Sequence, residues 1–248
     1  MAMQLKFSSL KPLVAPAVAA VFAIAAPAMA QAGDYSGNFM VRLQGTYLYT
    51  DDDMRSATLD GADVTDTVKS KIGESYTTNS VLPTATLTYF FNKNIAAELF
   101  CCFAKSTVKL DLVGGGSAEV GNTWMFPPIV TLQYHFTDLG PIKPYVGVGA
   151  QWVHFFSEKT GKNATGASDI NISDAFGVAL QAGMDIEIGN GWYLNADVKK
   201  SFLDTKVRLA NTDLGGDVVI KHDLDPWIFS VGVGYRFNLF GERDVPLK

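Results

Sequence analysis

Cysteine is almost absent. The 248 residues hold two, Cys101 and Cys102, and they are neighbours. Adjacent side chains in a strand point to opposite faces, a bond between neighbours is strained, and the chain offers no other partner. Both therefore read as free, small residues; an adjacent-pair disulfide or an intermolecular link is the alternative. Histidine is nearly as scarce. His135, His154 and His222 are scattered and no C-x-x-C spacing occurs, so no metal site is expected. No Gly-x-Ser-x-Gly is present, and Ser230, the one serine that alternation turns inward on the last segment, lacks a convincing base. Gly114-Gly115-Gly116 has no strand–turn–helix context and no following Gly-Lys-Ser or Gly-Lys-Thr, so it reads as loop and not as a phosphate cradle. These absences predict no catalytic residues, no cofactor and no enzyme.

Long apolar runs are missing as well. Beyond residue 30 no stretch of about 18 apolar residues exists, which excludes a transmembrane helix there. The N-terminus carries Lys6 and Lys11, then an alanine-rich apolar run over 13–26, then Ala28-Met29-Ala30. That is a secretory signal peptide over residues 1–30, with a second cleavage site at Ala30-Gln31-Ala32. The run is short and contains Pro16; a single N-terminal membrane helix is the alternative reading. Removing Lys6 and Lys11 leaves 18 basic against 25 acidic residues, a net charge of −7. That balance argues against nucleic acid as a partner.

What is present is alternation. In Trp227–Phe237, Trp227, Phe229, Val231, Val233, Tyr235 and Phe237 share one face, while Ile228, Ser230, Gly232, Gly234 and Arg236 share the other. One face suits lipid and is bounded by aromatics; the other suits a lumen, the pattern of a transmembrane β-strand. The same period recurs over 39–49, 80–91, 95–109, 124–136, 144–155, 174–187 and 192–209. The connections between these eight segments alternate in length. Residues 92–94, 137–143 and 188–191 are short; 50–79, 110–123, 156–173 and 210–224 are long, the first with room for an embedded hairpin or helix. An up-and-down barrel gathers connections of one parity at one end, short turns in the periplasm and long loops outside. The expectation is an all-β, eight-stranded antiparallel up-and-down transmembrane β-barrel over residues 31–237, followed by a short periplasmic tail over 238–248. A soluble barrel would point its bulky apolar residues inward.

Ionisable residues fall on the inner face inside the expected hydrocarbon span: Arg42, Glu98, Asp185, Asp197, Lys199 and Arg236. Paired, they form either a polar plug or ordinary lumen packing. Trp192, Trp227, Tyr235 and Phe237 suit an interfacial girdle. Asp51-Asp52-Asp53 reads as a solvated acidic loop, with calcium binding or a divalent bridge to lipopolysaccharide as the alternative.

Several pieces, in order, resemble the outer membrane protein W family. They are Val41-Arg42, the run from Asn92 to Leu99, the run from Lys143 to Gly149, the run from Gly191 to Lys199 with Asp204-Thr205, and the segment from Asp225 to Phe237. The resemblance covers about Gly37 to Phe237. It implies a monomeric, porin-like barrel in the Gram-negative outer membrane, crossing it many times with both mature termini in the periplasm. It further implies a narrow, largely apolar interior and passive transport of small hydrophobic molecules, with exit through the barrel wall. On that footing Leu48, Leu82, Phe90 and Phe100 suit channel lining, and Trp124 and Met125 an upper constriction, although each equally suits filler in a narrow barrel. The implied partners are outer membrane lipids and lipopolysaccharide, small hydrophobic solutes and the barrel assembly machinery. The competing function is a closed structural barrel whose long loops bind lipopolysaccharide, host surfaces or phage. One feature departs from the family: such barrels end on a terminal aromatic, whereas here Phe237 is followed by eleven residues. Either Phe237 acts as an internal assembly signal or the last strand reaches Phe240.

Overall fold

The alternating segments do form strands in the computed structural model, which describes residues 37–50, 53–72, 75–77, 80–102, 104–111, 117–160, 169–210 and 216–238. The expected signal peptide, Asp51 and Asp52, the glycine run 114–116 and the tail from 239 lie outside the described residues. The chain begins with β1 (Phe39–Tyr49), β2 (Asp53–Leu59), β3 (Ala62–Asp63), α1 (Thr65–Ile72), β4 (Ser75–Thr77) and β5 (Ser80–Phe90). There follow β6 (Ile95–Cys101), β7 (Ala104–Asp111), β8 (Ser117–Phe126), β9 (Ile129–His135) and β10 (Ile142–Thr160). The last are β11 (Asp169–Ile172), β12 (Ala175–Gly189), β13 (Trp192–Ala210), β14 (Val218–Asp223) and β15 (Trp227–Phe237).

Eight of these strands close a ring. Its antiparallel order is β1, β5, β6, β9, β10, β12, β13, β15 and back to β1. Closure is carried by β1 on β15, with Phe39 opposite Phe237 and Tyr49 opposite Trp227. It leaves the half of the ring nearest the termini without a free edge, which hydrocarbon would penalise by several kcal/mol per unpaired backbone group. The chain enters and leaves the ring at one end, where the Asn38 amide donates to Asn238 Oδ1. The three short connections lie at that same end. The tightest is Gly189-Asn190-Gly191, whose three residues all take positive φ (105°, 53° and 80°), a demand that glycine and asparagine meet most cheaply. In the turn after β5, Asn92 Oδ1 accepts from the Asn94 and Ile95 amides.

The two faces are inverted relative to a soluble domain. Leu43, Leu99, Val130, Leu132, Val148, Val178 and Leu180 are exposed on the outside, while Arg42, Glu98, Gln133, Asp185 and Lys199 are buried within. Such an outer surface is stable against lipid tails and costly against water.

Two expected strands lose ladder bonds part-way but keep register across the gap: β6 and β7 face β9 and β8 in one alignment, and β9 and β8 line β10 in another. The segment 95–109 is interrupted after Cys101, and 124–136 at Pro127-Pro128, where two amide donors are missing. The long connections also carry structure beyond loop. The first holds β2, β3, α1 and β4. The second is part of the β7–β8 hairpin, β10 continues to Thr160, and β11 and β14 flank the upper half of β13. β14 carries β2 on its other side, and Met54, Ala57, Val218 and Ile220 make a small apolar core there.

Candidate functional site

Inward residues of the ring stack in three levels. Nearest the termini, Met40, Phe90, Ala96 and Tyr193 pack together. His135 sits between Phe90 and Tyr145, with ring centroids 5.0 and 4.8 Å away, tilted against the first and stacked on the second. Arg236 also lies at this level. Its guanidinium sits 3.8 Å over the Phe90 ring, and Nε donates to the Gly37 carbonyl at 2.7 Å.

Above this is a charged layer. Arg42 grips Asp185 with two parallel bonds, Nε to Oδ1 at 3.0 Å and Nη2 to Oδ2 at 2.6 Å. Its Nη1 reaches Glu98 at 2.7 Å and Thr88 Oγ1 at 2.6 Å. Lys199 bridges Glu98 at 3.1 Å and Asp197 at 2.5 Å. Gln181 ties the two halves, donating to Glu98 and Asp197 while accepting from Thr131 and Gln133. Tyr145 donates to Asp197, Asn195 donates to Asp185 and to the Tyr145 hydroxyl, and Gln44 donates to Asn195. Two cations thus meet three carboxylates, each held by more than one partner. In a low-dielectric interior an unpaired member would cost several kcal/mol, so the layer holds together only as a set.

The third level, toward the long connections, is mainly apolar, with buried Gln151 and Ser201 set opposite Ile129 and Ala179. Phe100, Cys102, Ile129, Ala179 and Ile228 form one cluster and Met125, Val153, Ala175 and Leu203 the next. Half-buried Leu48 and Leu82 bridge the two, and Phe155 and Leu224 add to the upper one. Lys199 touches the lower cluster, its ammonium 4.9 Å from the Phe100 ring centre. The lumen is therefore an apolar mouth above a charged floor.

On the outside, aromatics collect at two heights. Phe39, Tyr89, Phe91, Tyr134, Phe136, Trp192, Tyr235 and Phe237 surround the short-turn end, with Trp192 5.0 Å from Tyr235 and Tyr235 6.1 Å from Phe237. Trp152, Phe176, Phe202, Trp227 and Phe229 lie toward the other end. From Trp227 to Tyr235, at about 3.4 Å per residue and a tilt of about 40°, the vertical span is roughly 21 Å, close to the apolar band of outer membrane barrels.

Residues 35–237 match the sequence profile of the OmpW family. The chain belongs to the OmpW family. Among its relatives, an uncharacterized outer-membrane protein, y4mB of Sinorhizobium fredii, is 35% identical over 226 residues, 91% of this chain and 86% of that one. Outer membrane protein AlkL of Ectopseudomonas oleovorans is 28% identical over 242 residues, 94% of this chain and 100% of that one. The crystal structure of OprG from Pseudomonas aeruginosa superposes with a TM-score of 0.73 at 24% identity, over 83% of this chain and 98% of that one, and shares the fold. This OmpW-family chain is thus a multi-pass outer membrane barrel.

Of the residues singled out by sequence, Arg42, Glu98, Asp185, Asp197 and Lys199 meet in the charged layer. Arg236 is inward but stands below it. Leu48, Leu82, Phe90, Phe100 and Met125 all face the interior, although Phe90 sits beneath the charged floor and away from the mouth. Trp124 requires a correction: it is adjacent to inward Met125, so its side chain points outward and is 44% exposed. Trp192, Trp227, Tyr235 and Phe237 occupy the outer face at the aromatic levels. Both cysteines are free. Sequence reading missed Tyr145 and Thr88 as members of the charged layer; inward parity on their strands was the only available signal.

Proposed function

We propose that this barrel admits small hydrophobic molecules at the apolar mouth and releases them sideways into the membrane. The observation that carries this reading is the layering of the lumen. An apolar solute partitions into the mouth, gaining about 25 cal/mol for each Å² of apolar surface removed from water. It meets a floor whose charges are all paired, and passage down the axis would require breaking that set. The wall beside the mouth is weaker. Among the described residues the β5–β6 ladder reaches no higher than Ala85 opposite Cys101, and the neighbouring strand is interrupted at Pro127-Pro128. Movement is passive, along the gradient, without chemistry. We place the short turns and both termini in the periplasm, with Trp192, Trp227, Tyr235 and Phe237 as interfacial anchors. Phe237 is then the aromatic read during assembly.

The test is refolded protein in planar bilayers and in vesicles. Ion conductance is expected to be minimal, while a small apolar probe enters vesicles faster than through protein-free membrane. Placing asparagine at Leu48 and Leu82 together is expected to slow probe flux at least about tenfold, since each removes roughly 2 kcal/mol of apolar affinity. Folded protein with no probe flux would overturn the reading in favour of a closed barrel acting through its long connections.

A further inference from the structure

The outer face of β13 changes character where it leaves the upper aromatic level. Lys200 lies at that level, its ammonium 5.1 Å from the Trp227 ring and 5.9 Å from the Phe202 ring, and it donates to the Asp225 carbonyl. Beyond Phe202 the outward residues are Asp204, Lys206 and Arg208, and β14 sets Asp223 opposite Asp204 and Lys221 opposite Lys206. Two like-charged pairs therefore face each other in successive rows, an arrangement that destabilises a sheet unless something neutralises it.

The acidic row is bridged within the chain. Arg55, from β2, reaches Asp223 at 2.9 Å and Asp204 at 3.5 Å. Three further acids nearby are engaged too. Asp217 holds Arg208 at 2.6 Å, Asp174 accepts from Trp152 and contacts His154, and Asp225 Oδ1 accepts from the Leu203 amide. The lysine row has no such answer: both side chains are exposed, and among the described residues neither makes a salt bridge. This is notable in a chain with more acidic than basic residues.

We propose that Lys206 and Lys221 clasp the phosphate of a lipid headgroup in the leaflet at the long-connection end. Height supports a lipid source. Lys206 lies four residues beyond Phe202, which at about 3.4 Å per residue and a tilt of about 40° is roughly 10 Å above the aromatic level, within reach of the headgroup layer. Geometry supports one phosphate. Directly opposed residues have Cβ atoms about 5 Å apart, so two flexible ammonium groups can converge on oxygens of a single anion. The bound phosphate removes the repulsion between the lysines and is held against the outer wall. Nothing in this depends on what passes through the lumen.

The experiment places the full chain in phosphatidylcholine nanodiscs doped either with phosphatidic acid, whose head is a bare phosphate ester, or with neutral diacylglycerol. Native mass spectrometry counts the lipid retained. The unaltered protein is expected to retain phosphatidic acid over diacylglycerol. K206A/K221A is expected to lose that preference by roughly tenfold or more, and K206R/K221R to keep it. Heat-modifiable mobility verifies that each variant is folded. A folded K206A/K221A that retains phosphatidic acid as the unaltered protein does would overturn the proposal. So would displacement of the lipid by inorganic phosphate at equal concentration, which would mark a site for soluble anions.

Discussion

At the scale of single residues, the charged layer is the most demanding feature of the lumen. Arg42 pairs with two carboxylates at once, so Arg42→Ala leaves Glu98 and Asp185 facing each other with one cation, Lys199, on the far side of Glu98. The expected loss is about 3–5 kcal/mol in urea unfolding of the folded barrel. Replacing Arg42, Glu98 and Asp185 together by apolar residues of similar volume is expected to cost less than the single change, because no charge is then stranded. A smaller residue carries a comparable constraint. A Cβ on Gly183 would fall 2.4 Å from the Tyr145 ring and hydroxyl. Gly183→Ala is therefore expected to push Tyr145 off Asp197, lower the unfolding temperature by several degrees and, under the proposed function, raise ion conductance above that of the unaltered protein. Unchanged conductance alongside a lowered unfolding temperature would show that Tyr145 packs without sealing the floor.

At the scale of elements, the strand breaks matter most. Pro127 and Pro128 remove two donors between β8 and β9, although both strands keep one register along β10, with Ile129 opposite Gln151 and Phe126 opposite His154. Valine at both positions restores the donors and favours a continuous strand. Under the proposed lateral route, P127V/P128V is expected to fold normally and to slow the flux of an apolar probe severalfold, measured in vesicles. Equal flux would move the exit elsewhere in the wall. How much of this was legible beforehand depended on distance along the chain. Period-2 alternation is local, so the direction of Phe100, Glu98 or Gln181 followed from the neighbours in its own strand. Interruption by proline was visible as composition, yet whether a strand kinks or breaks there depends on which ladder each half joins, and those ladders are long-range.

At the scale of the whole molecule, the barrel is an inverted protein whose polar groups are satisfied inward and whose apolar groups face lipid. Its two aromatic levels bracket the charged floor, while the extension built from β2, β11 and β14 rises beyond the upper one. Shortening the apolar band should therefore change how the protein sits. Tyr89→Ser with Tyr235→Ser removes two rings at the short-turn level and is expected to shift quenching of the four tryptophans by depth-graded brominated lipids. The lumen contacts would remain intact, because both residues lie outside the wall. An unchanged quenching profile would mean that the remaining rings at that level suffice.

The sequence by itself determined the number of barrel strands, the face each presents to lipid, the short and long ends, and the family. Each of these follows from a period, a turn or a motif that is read within a few residues. Only the tertiary structure decided that Arg42 meets Asp185, 143 residues away, and that Arg236 stays out of that network. It also decided that Lys206 faces Lys221. Those outcomes depend on the stagger with which strands close around the barrel. A shift of one residue in a single ladder would send every side chain on that strand to the other face.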